Sequence, residues 1–267
     1  VLVGTAAAAR GVEIDPTVFA VTLATAVLLQ VAANLANDYF DFQKGVDTNR
    51  RLGPLRVTQL GLLAPEAVRR GLVVVLAAGA AAGVYLGIKG GWPILLIGVT
   101  ALIGAVAYSA GPLPLSWHGL GDPLAFGFFG LVAVYGTIHL QEASFDAVSL
   151  LSALAVGCLV TTIIVVNNLR DIPTDRDCGK RTLAVRIGPR ATRWEYSALV
   201  ACAYLLVAAS AALGSLAQLL PLLSLPMGIG QITAIWRAEG AALNANLLGT
   251  VRLHLVFGLL LAVGLCS

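Results

Sequence analysis

TVFAVTLATAVLLQVAANLANDYFDFQKGVDT, residues 17–48, decides the architecture. Its first half is apolar and, as a helix, long enough to cross a bilayer: the hydrocarbon core is ~30 Å thick and each residue rises ~1.5 Å, so about 20 residues suffice. Its second half abruptly gathers Asn34, Asn37, Asp38, Asp41 and Asp47. At ~100° per residue, the first four of these fall within one ~100° arc of a helix, and Asn37 and Asp41 stack one turn apart. A lone carboxylate there would read as a solvated helix end. Four Asn/Asp side chains on one face of a greasy helix read instead as the lining of a cavity, because intramembrane carboxylates are costly.

The rest of the chain fits that frame. Of 267 residues, 58% are hydrophobic and 12% charged, about half the charged fraction of a soluble domain, and the mean hydropathy is +0.87. The apolar runs do not alternate, which excludes a transmembrane β-barrel. Beyond a remnant at 1–9, the spans expected are 17–40, 67–88, 92–110, 123–140, 148–169, 194–213, 216–236 and 247–265. The fold expected is all-α: about nine transmembrane helices around a central cavity, in a single domain over 1–267. Val1 opens a hydrophobic run without a methionine, which reads as a truncated first helix. Breakers at Asp15-Pro16, Gly90-Gly91-Trp92-Pro93, Gly111-Pro112-Leu113-Pro114 and Asp122-Pro123 separate the spans, and the short link at Gly214-Ser215 is the weakest boundary. Cys158, Cys178, Cys202 and Cys266 are scattered and suggest neither a metal cluster nor a disulfide framework.

Lys44, Arg50, Arg51, Arg56, Arg69 and Arg70 crowd the loop at 41–70, and Arg170, Arg176, Lys180, Arg181, Arg186, Arg190 and Arg193 the region 169–193. Lys and Arg concentrate on the cytoplasmic side, so both regions should face the cytoplasm. Four spans separate them, and an even number returns the chain to the same side. The later region, NNLRDIPTDRDCGKRTLAVRIG (Asn167–Gly188), repeats the acidic theme: Asn167, Asp171 and Asp175 recur every fourth residue. Pro173 removes a backbone donor and disfavours helix at Ile172, so the helix is expected to kink or end near Asp171. Neighbouring carboxylates need a cation to coexist, and oxygen-only ligands favour a hard ion such as Mg²⁺, which commonly bridges to phosphates. Lys180 and Arg181 then supply phosphate donors.

The pair N-x-x-x-D (Asn37, Asp41) and D-x-x-x-D (Asp171, Asp175), each ending a span, resembles the intramembrane aromatic prenyltransferases of the UbiA superfamily. NDYFDFQKGVDT, GPLRVTQLGLL (Gly53–Leu63), YSAGPLPLSWHGLGD (Tyr108–Asp122) and RDIPTDRDCGKRTLAVRIG are similar to its menaquinone-pathway branch, the 1,4-dihydroxy-2-naphthoate polyprenyltransferases. The resemblance implies Mg²⁺-dependent transfer of a polyprenyl group from polyprenyl diphosphate to 1,4-dihydroxy-2-naphthoate, with loss of CO₂ and diphosphate. It implies a multi-pass protein of the inner (cytoplasmic) membrane, in contact with lipid, with its site open to the cytoplasm and no nucleic-acid partner. The alternatives are a related enzyme with another acceptor, such as 4-hydroxybenzoate, and a cation-coupled transporter. Many members of the superfamily carry a further Asp where this chain has Gly45, which leaves the role of Asp47 open.

On this basis Asn37, Asp41, Asn167, Asp171 and Asp175 are the expected Mg²⁺ ligands, with Asn34, Asp38 and Asp47 behind them. Lys44, Arg56, Arg170, Lys180 and Arg181 are the expected diphosphate contacts; Arg56 could alternatively reach an acceptor carboxylate. Asp41, Asp171, Asp175, Lys180 and Tyr108 are expected to carry the chemistry, with Ser109 as a further substrate contact. Tyr108 and Ser109 are expected in the cavity wall, although a tyrosine there is equally an interfacial anchor. Surface or capping roles are expected for His118, His139 and His254, and interface anchoring for Trp92, Trp117, Trp194 and Trp236. Gly104, Gly127, Gly130 and Gly157 are expected to let helices pack closely.

Overall fold

In hydrocarbon every backbone N–H and C=O must be paired within its own segment, so apolar runs of this length form helices. The computed structural model describes residues 1–45, 52–112 and 114–267, and among them all regular structure is helical. The helices are α1 (Leu2–Ala8), α2 (Pro16–Gln43), α3 (Pro65–Ala107), α4 (Gly121–Ala125), α5 (Ala133–Leu140), α6 (Ala147–Asp177), α7 (Leu183–Leu213), α8 (Leu225–Arg237) and α9 (Leu243–Cys266). A π-helical turn, Phe126–Val132, fuses α4 and α5 into one crossing. A 3₁₀ segment, Leu216–Ser224, leads into α8, with Ser215 capping it immediately after α7 ends.

Seven continuous helical stretches are long and apolar enough to cross a membrane, but α3 is folded. A straight helix of its 43 residues would extend ~65 Å, twice the hydrocarbon thickness. Gly91 breaks it in the left-handed region (φ 71°) and Pro93 restarts it. Both ends of α3 then lie beside the last turns of α2: Leu72 packs with Ala32 and Ala36, and Lys44 Nζ donates to the carbonyl of Ser109 at 2.7 Å. Its middle lies beside the first turn of α2, where Leu86 and Ile94 cluster with Val18 and Leu140. The seven stretches, one of them doubled, therefore make eight crossings among the described residues. Sequence reading separated 67–88 from 92–110 at this same break; its count of nine adds α1, whose seven residues are too few to cross.

The hub is α6, with 18 of 31 residues buried, against six of 28 in α2. Where hydroxyls enter this core they bond to their own helix, as Thr161 Oγ1 does to the Gly157 carbonyl at 2.7 Å, or across helices, as Tyr196 does to Thr250 at 2.8 Å. Large apolar side chains such as Ile88, Trp92 and Leu205 point outward, each at least 70% exposed. At the end of the bundle away from the acidic clusters, Gln141 is paired to the backbone of Asp15 in both directions. His139 Nε2 meets the Gly90 carbonyl there.

Two local expectations change. First, α6 does not end at Asp171 but runs through Pro173 to Asp177. The exposed proline costs one backbone bond, and a helix anchored along most of its length by packing tolerates that loss. Asp171 and Asp175 consequently share one helical face. Second, of the four glycines expected at close contacts, only two occupy them. A Cβ on Gly130 would lie 2.5 Å from Gly157 Cα and 3.0 Å from the Ala153 carbonyl, whereas Gly127 has nothing within 4 Å and Gly104 only Phe128 at 3.9 Å. Gly130→Ala should therefore force α6 away and cost about 1–3 kcal/mol, lowering the unfolding temperature of detergent-solubilised protein. Gly127→Ala should leave it unchanged, and equal melting of both variants would contradict the packing.

Candidate active site at one end of the bundle

The ends of α2 and α6 stop in similar ways, and their stops build the site. Both helices are followed by a glycine in the left-handed region, Gly45 (φ 67°) and Gly179 (φ 76°). After α6, the N–H of Lys180 bonds to the Asp175 carbonyl at 2.8 Å and that of Gly179 to the Arg176 carbonyl at 3.1 Å. This is a Schellman turn, and it brings the chain back over its last acidic residue: Lys180 Nζ lies 3.2 Å from Asp175 Oδ1. Gly45 thus serves as the helix stop after Lys44. Asp47 lies outside the described residues.

Each principal carboxylate is matched to a cation. Arg56 donates to Asp41 Oδ2 at 2.8 Å. Arg170 grips Asp171 through Nε and a terminal nitrogen, both at 2.7 Å, and also bonds Asn167 at 2.6 Å and Asn244 at 2.8 Å. Gly53 leaves room for that guanidinium: a Cβ there would fall 2.7 Å from it. Asn244 in turn donates to the Leu52 carbonyl at 2.8 Å. The loop after Leu52 is fastened again where Thr58 bonds Asp38, which is buried, and where Arg56 meets Asp41. Asp38 thus holds the loop over the end of α2, while Asn34 is exposed one turn earlier.

The third wall comes from the segment after α3. Ser109 bonds Asn37, and Lys44 sits 5.1 Å over the Trp117 ring. Trp117 hands its carbonyl to the Arg181 N–H at 2.9 Å, and the exposed His118 gives its carbonyl to Arg186, so the segment docks on the start of α7. Tyr108 stands at the centre. Its hydroxyl lies against the start of α4, 3.0 Å from where a Cβ on Gly121 would stand. Asp175 is within electrostatic reach of Asp171 and Asp41. The two acidic clusters, a hundred residues apart in sequence, therefore border one space.

Three expectations are altered. Arg170, expected on diphosphate, has its side chain 1% exposed and both donors of one terminal nitrogen spent on Asn167 and Asp171; it orients those two residues instead. Trp117 is not an interface anchor but a wall of the site, with its indole N–H buried; Trp92, beside the break in α3, and Trp194, within α7, are exposed. Finally, among the described residues no three His, Cys, Asp or Glu side chains gather closely enough to hold a metal. Each acid is instead paired with one of the protein's own cations, which offsets the repulsion between carboxylates. A cation that keeps waters and bridges to phosphate needs only one or two carboxylates. The donor set meets that demand: Asn37 with Asp41, and Asn167 and Asp171 with Asp175, whose buried Oδ2 has no hydrogen-bond partner. Asp122 and Asn244 were missed by sequence reading. The first was taken only as a proline-adjacent break, and the second carries no motif signal.

Residues 1–264 match the model of the UbiA prenyltransferase family. The chain is 40% identical over 177 residues to a 1,4-dihydroxy-2-naphthoate octaprenyltransferase of Haemophilus influenzae, covering 64% of this chain and 58% of that protein. It is 35% identical over 275 residues to the Escherichia coli protein of the same description, covering 99% and 89%. Among solved structures, an apo UbiA homolog from Aeropyrum pernix superposes with TM-score 0.75 at 16% identity, covering 97% of this chain and 94% of that one. A UbiA homolog from Archaeoglobus fulgidus bound to DMAPP and Mg²⁺ superposes with TM-score 0.64 at 16% identity, covering 98% and 94%.

Proposed function

The chain belongs to the UbiA prenyltransferase family, and from that premise we propose that it transfers a polyprenyl group from polyprenyl diphosphate to 1,4-dihydroxy-2-naphthoate, releasing CO₂ and diphosphate. The observation that carries the proposal is the pair of acidic helix ends, each set against its own cation, Asp41 with Arg56 and Asp175 with Lys180, with Ser109 and Lys44 joining the segment after α3 to the first of them. The descriptions of the Haemophilus influenzae and Escherichia coli relatives supply the acceptor.

Lys180 and Arg56, each with 17% of its side chain exposed, are accessible to an incoming diphosphate. Exposed Arg181 and Lys44 add donors at the rim. Asn37, Asp41, Asn167, Asp171 and Asp175 are the residues that would hold Mg²⁺, which supplies charge neutralisation for the leaving diphosphate. Arg170 fixes Asn167 and Asp171 in position. The allylic carbon–oxygen bond breaks with its electron pair going to diphosphate, and the ring carbon bearing the carboxylate forms the new carbon–carbon bond. Apolar walls keep water from the allylic cation. The isoprenoid tail is already in its preferred solvent, which explains chemistry inside a bilayer. The basic residues gathered at this end support a cytoplasmic orientation for it, because Lys and Arg concentrate on that side of a membrane.

The test uses purified protein in vesicles with radiolabelled prenyl diphosphate and a panel of aromatic acceptors. Transfer to 1,4-dihydroxy-2-naphthoate is expected, from inverted vesicles and not from right-side-out ones. Preferential transfer to 4-hydroxybenzoate would replace the acceptor, and uptake of substrate without transfer would replace the enzyme by a transporter.

A further inference from the structure

Binding of diphosphate leaves one acidic group at the site unused. Asp122 is 5% exposed in the first turn of α4, and its Oδ1 is buried with no hydrogen-bond partner. Asp41, Asp171 and Asp175 each have a cation, whereas among the described residues no ion pair reaches Asp122. Its surroundings are well defined. The preceding glycine lets α4 approach both neighbours: a Cβ on Gly121 would lie 3.0 Å from the Tyr108 hydroxyl and 3.6 Å from Ile164 of α6. Of the three carboxylates whose charge acts on the Tyr108 phenol, Asp122 acts most strongly. From α7, half-buried Glu195 is within its electrostatic reach.

A buried carboxylate oxygen without a donor costs free energy, and such an orphan in a folded protein calls for a partner. Another metal would be poorly served by this single acid. What fits an apolar wall, an unpaired carboxylate oxygen and an adjacent phenol is a hydroxyl on a flat ring.

We propose that Asp122 accepts the ring-hydroxyl proton of the aromatic acceptor, and so acts as a catalytic base of the transfer. The assignment rests on the prenyl transfer proposed above and restricts its acceptors to hydroxy-aromatics. As the ring carbon bonds to the allylic carbon, the allylic carbon–oxygen bond breaks and diphosphate leaves with its electron pair. The O–H proton moves to Asp122 Oδ1, and its electron pair forms a ring carbonyl. Loss of CO₂ from the alkylated carbon returns an electron pair to the ring, and the same proton goes back from Asp122 to the oxygen. No net proton is gained or lost.

The test compares wild type with Asp122→Asn, which keeps the shape but cannot take a proton, and with Asp122→Glu. General-base assistance is typically worth about 10²-fold or more, so kcat with the hydroxynaphthoate should fall about 100-fold in Asp122→Asn and recover in part in Asp122→Glu. The KM for prenyl diphosphate should stay within about threefold, showing a folded site. Acceptors with a more acidic hydroxyl, made by ring halogenation, should shrink the deficit to below about tenfold. The acid limb of the kcat–pH profile should vanish in Asp122→Asn and persist in Glu195→Gln; Tyr108, Asp41 and Asp175, the other groups facing this space, are intact in both. Undiminished turnover in Asp122→Asn, or a deficit indifferent to hydroxyl acidity, overturns the assignment alone. Absence of transfer by the wild type to any hydroxy-aromatic overturns the prenyl-transfer proposal and this one with it.

Discussion

Asp171→Ala is expected to lose prenyl transfer and stability together, whereas Asp171→Asn loses transfer with a smaller cost in stability. The difference comes from Arg170. Its side chain is 1% exposed and paired with Asp171 through two bonds of 2.7 Å. Removing one partner of a buried ion pair strands the other, which costs about 3–5 kcal/mol. Asparagine can still accept one of the two bonds, with Asn167 and Asn244 holding the rest. Both variants lose the charge that a metal–diphosphate complex requires, and removal of one such stabilising group lowers turnover by about 10³-fold. Asp41→Ala provides the contrast. Its partner Arg56 is 17% exposed and can turn to water, so activity should fall as far with only a small loss of stability. Thermal unfolding and single-turnover transfer separate these cases. An Asp171→Ala protein as stable as wild type would refute the stranded-charge argument, and normal turnover in Asp171→Asn would remove Asp171 from the site.

The features legible in sequence are those fixed by local chemistry. Spans show because hydrocarbon demands unbroken apolar helix, and the fold in α3 shows because Gly91 and Pro93 cannot continue one. Asn37 with Asp41, and Asp171 with Asp175, show because four residues make about one helical turn. Pro173 misled for a related reason: its local preference is against helix, but α6 is held by burial along its length. What stayed hidden depends on partners distant in sequence. Arg170 looked like a substrate ligand until Asn244, 74 residues away, and Gly53 were seen closing around it. Trp117 looked like an interface anchor until Lys44 and Arg181 enclosed it. Asp122 looked like punctuation before a proline, because exposure of a single oxygen cannot be read from residue types.

Chelation of divalent metal should abolish transfer, and Mg²⁺ should restore it, for a reason visible in the charge balance. Among the described residues, Asp41, Asp171 and Asp175 are already paired with Arg56, Arg170 and Lys180. A multiply charged diphosphate entering this nearly neutral space can draw Lys180 and Arg56 toward itself only by exposing Asp175 and Asp41. At an effective dielectric of ~20, each like-charge pair at ~4 Å costs about 4 kcal/mol, so the exchange gains little. Arg181 and Lys44 remain at the exposed rim, where solvent weakens them. Divalent cations between the carboxylates and the diphosphate remove the conflict, because both anions then face positive charge. The same balance makes a prediction independent of turnover. Inorganic diphosphate should bind the wild-type protein measurably by calorimetry in Mg²⁺ and at least about 100-fold more weakly in EDTA, since two such pairs exceed the ~3 kcal/mol that this factor represents. Asp175→Asn, which removes one of the competing charges beside Lys180, should narrow that difference. Diphosphate binding of equal strength with and without metal would show that Lys180, Arg56, Arg181 and Lys44 suffice, and would leave the carboxylates without a metal to hold.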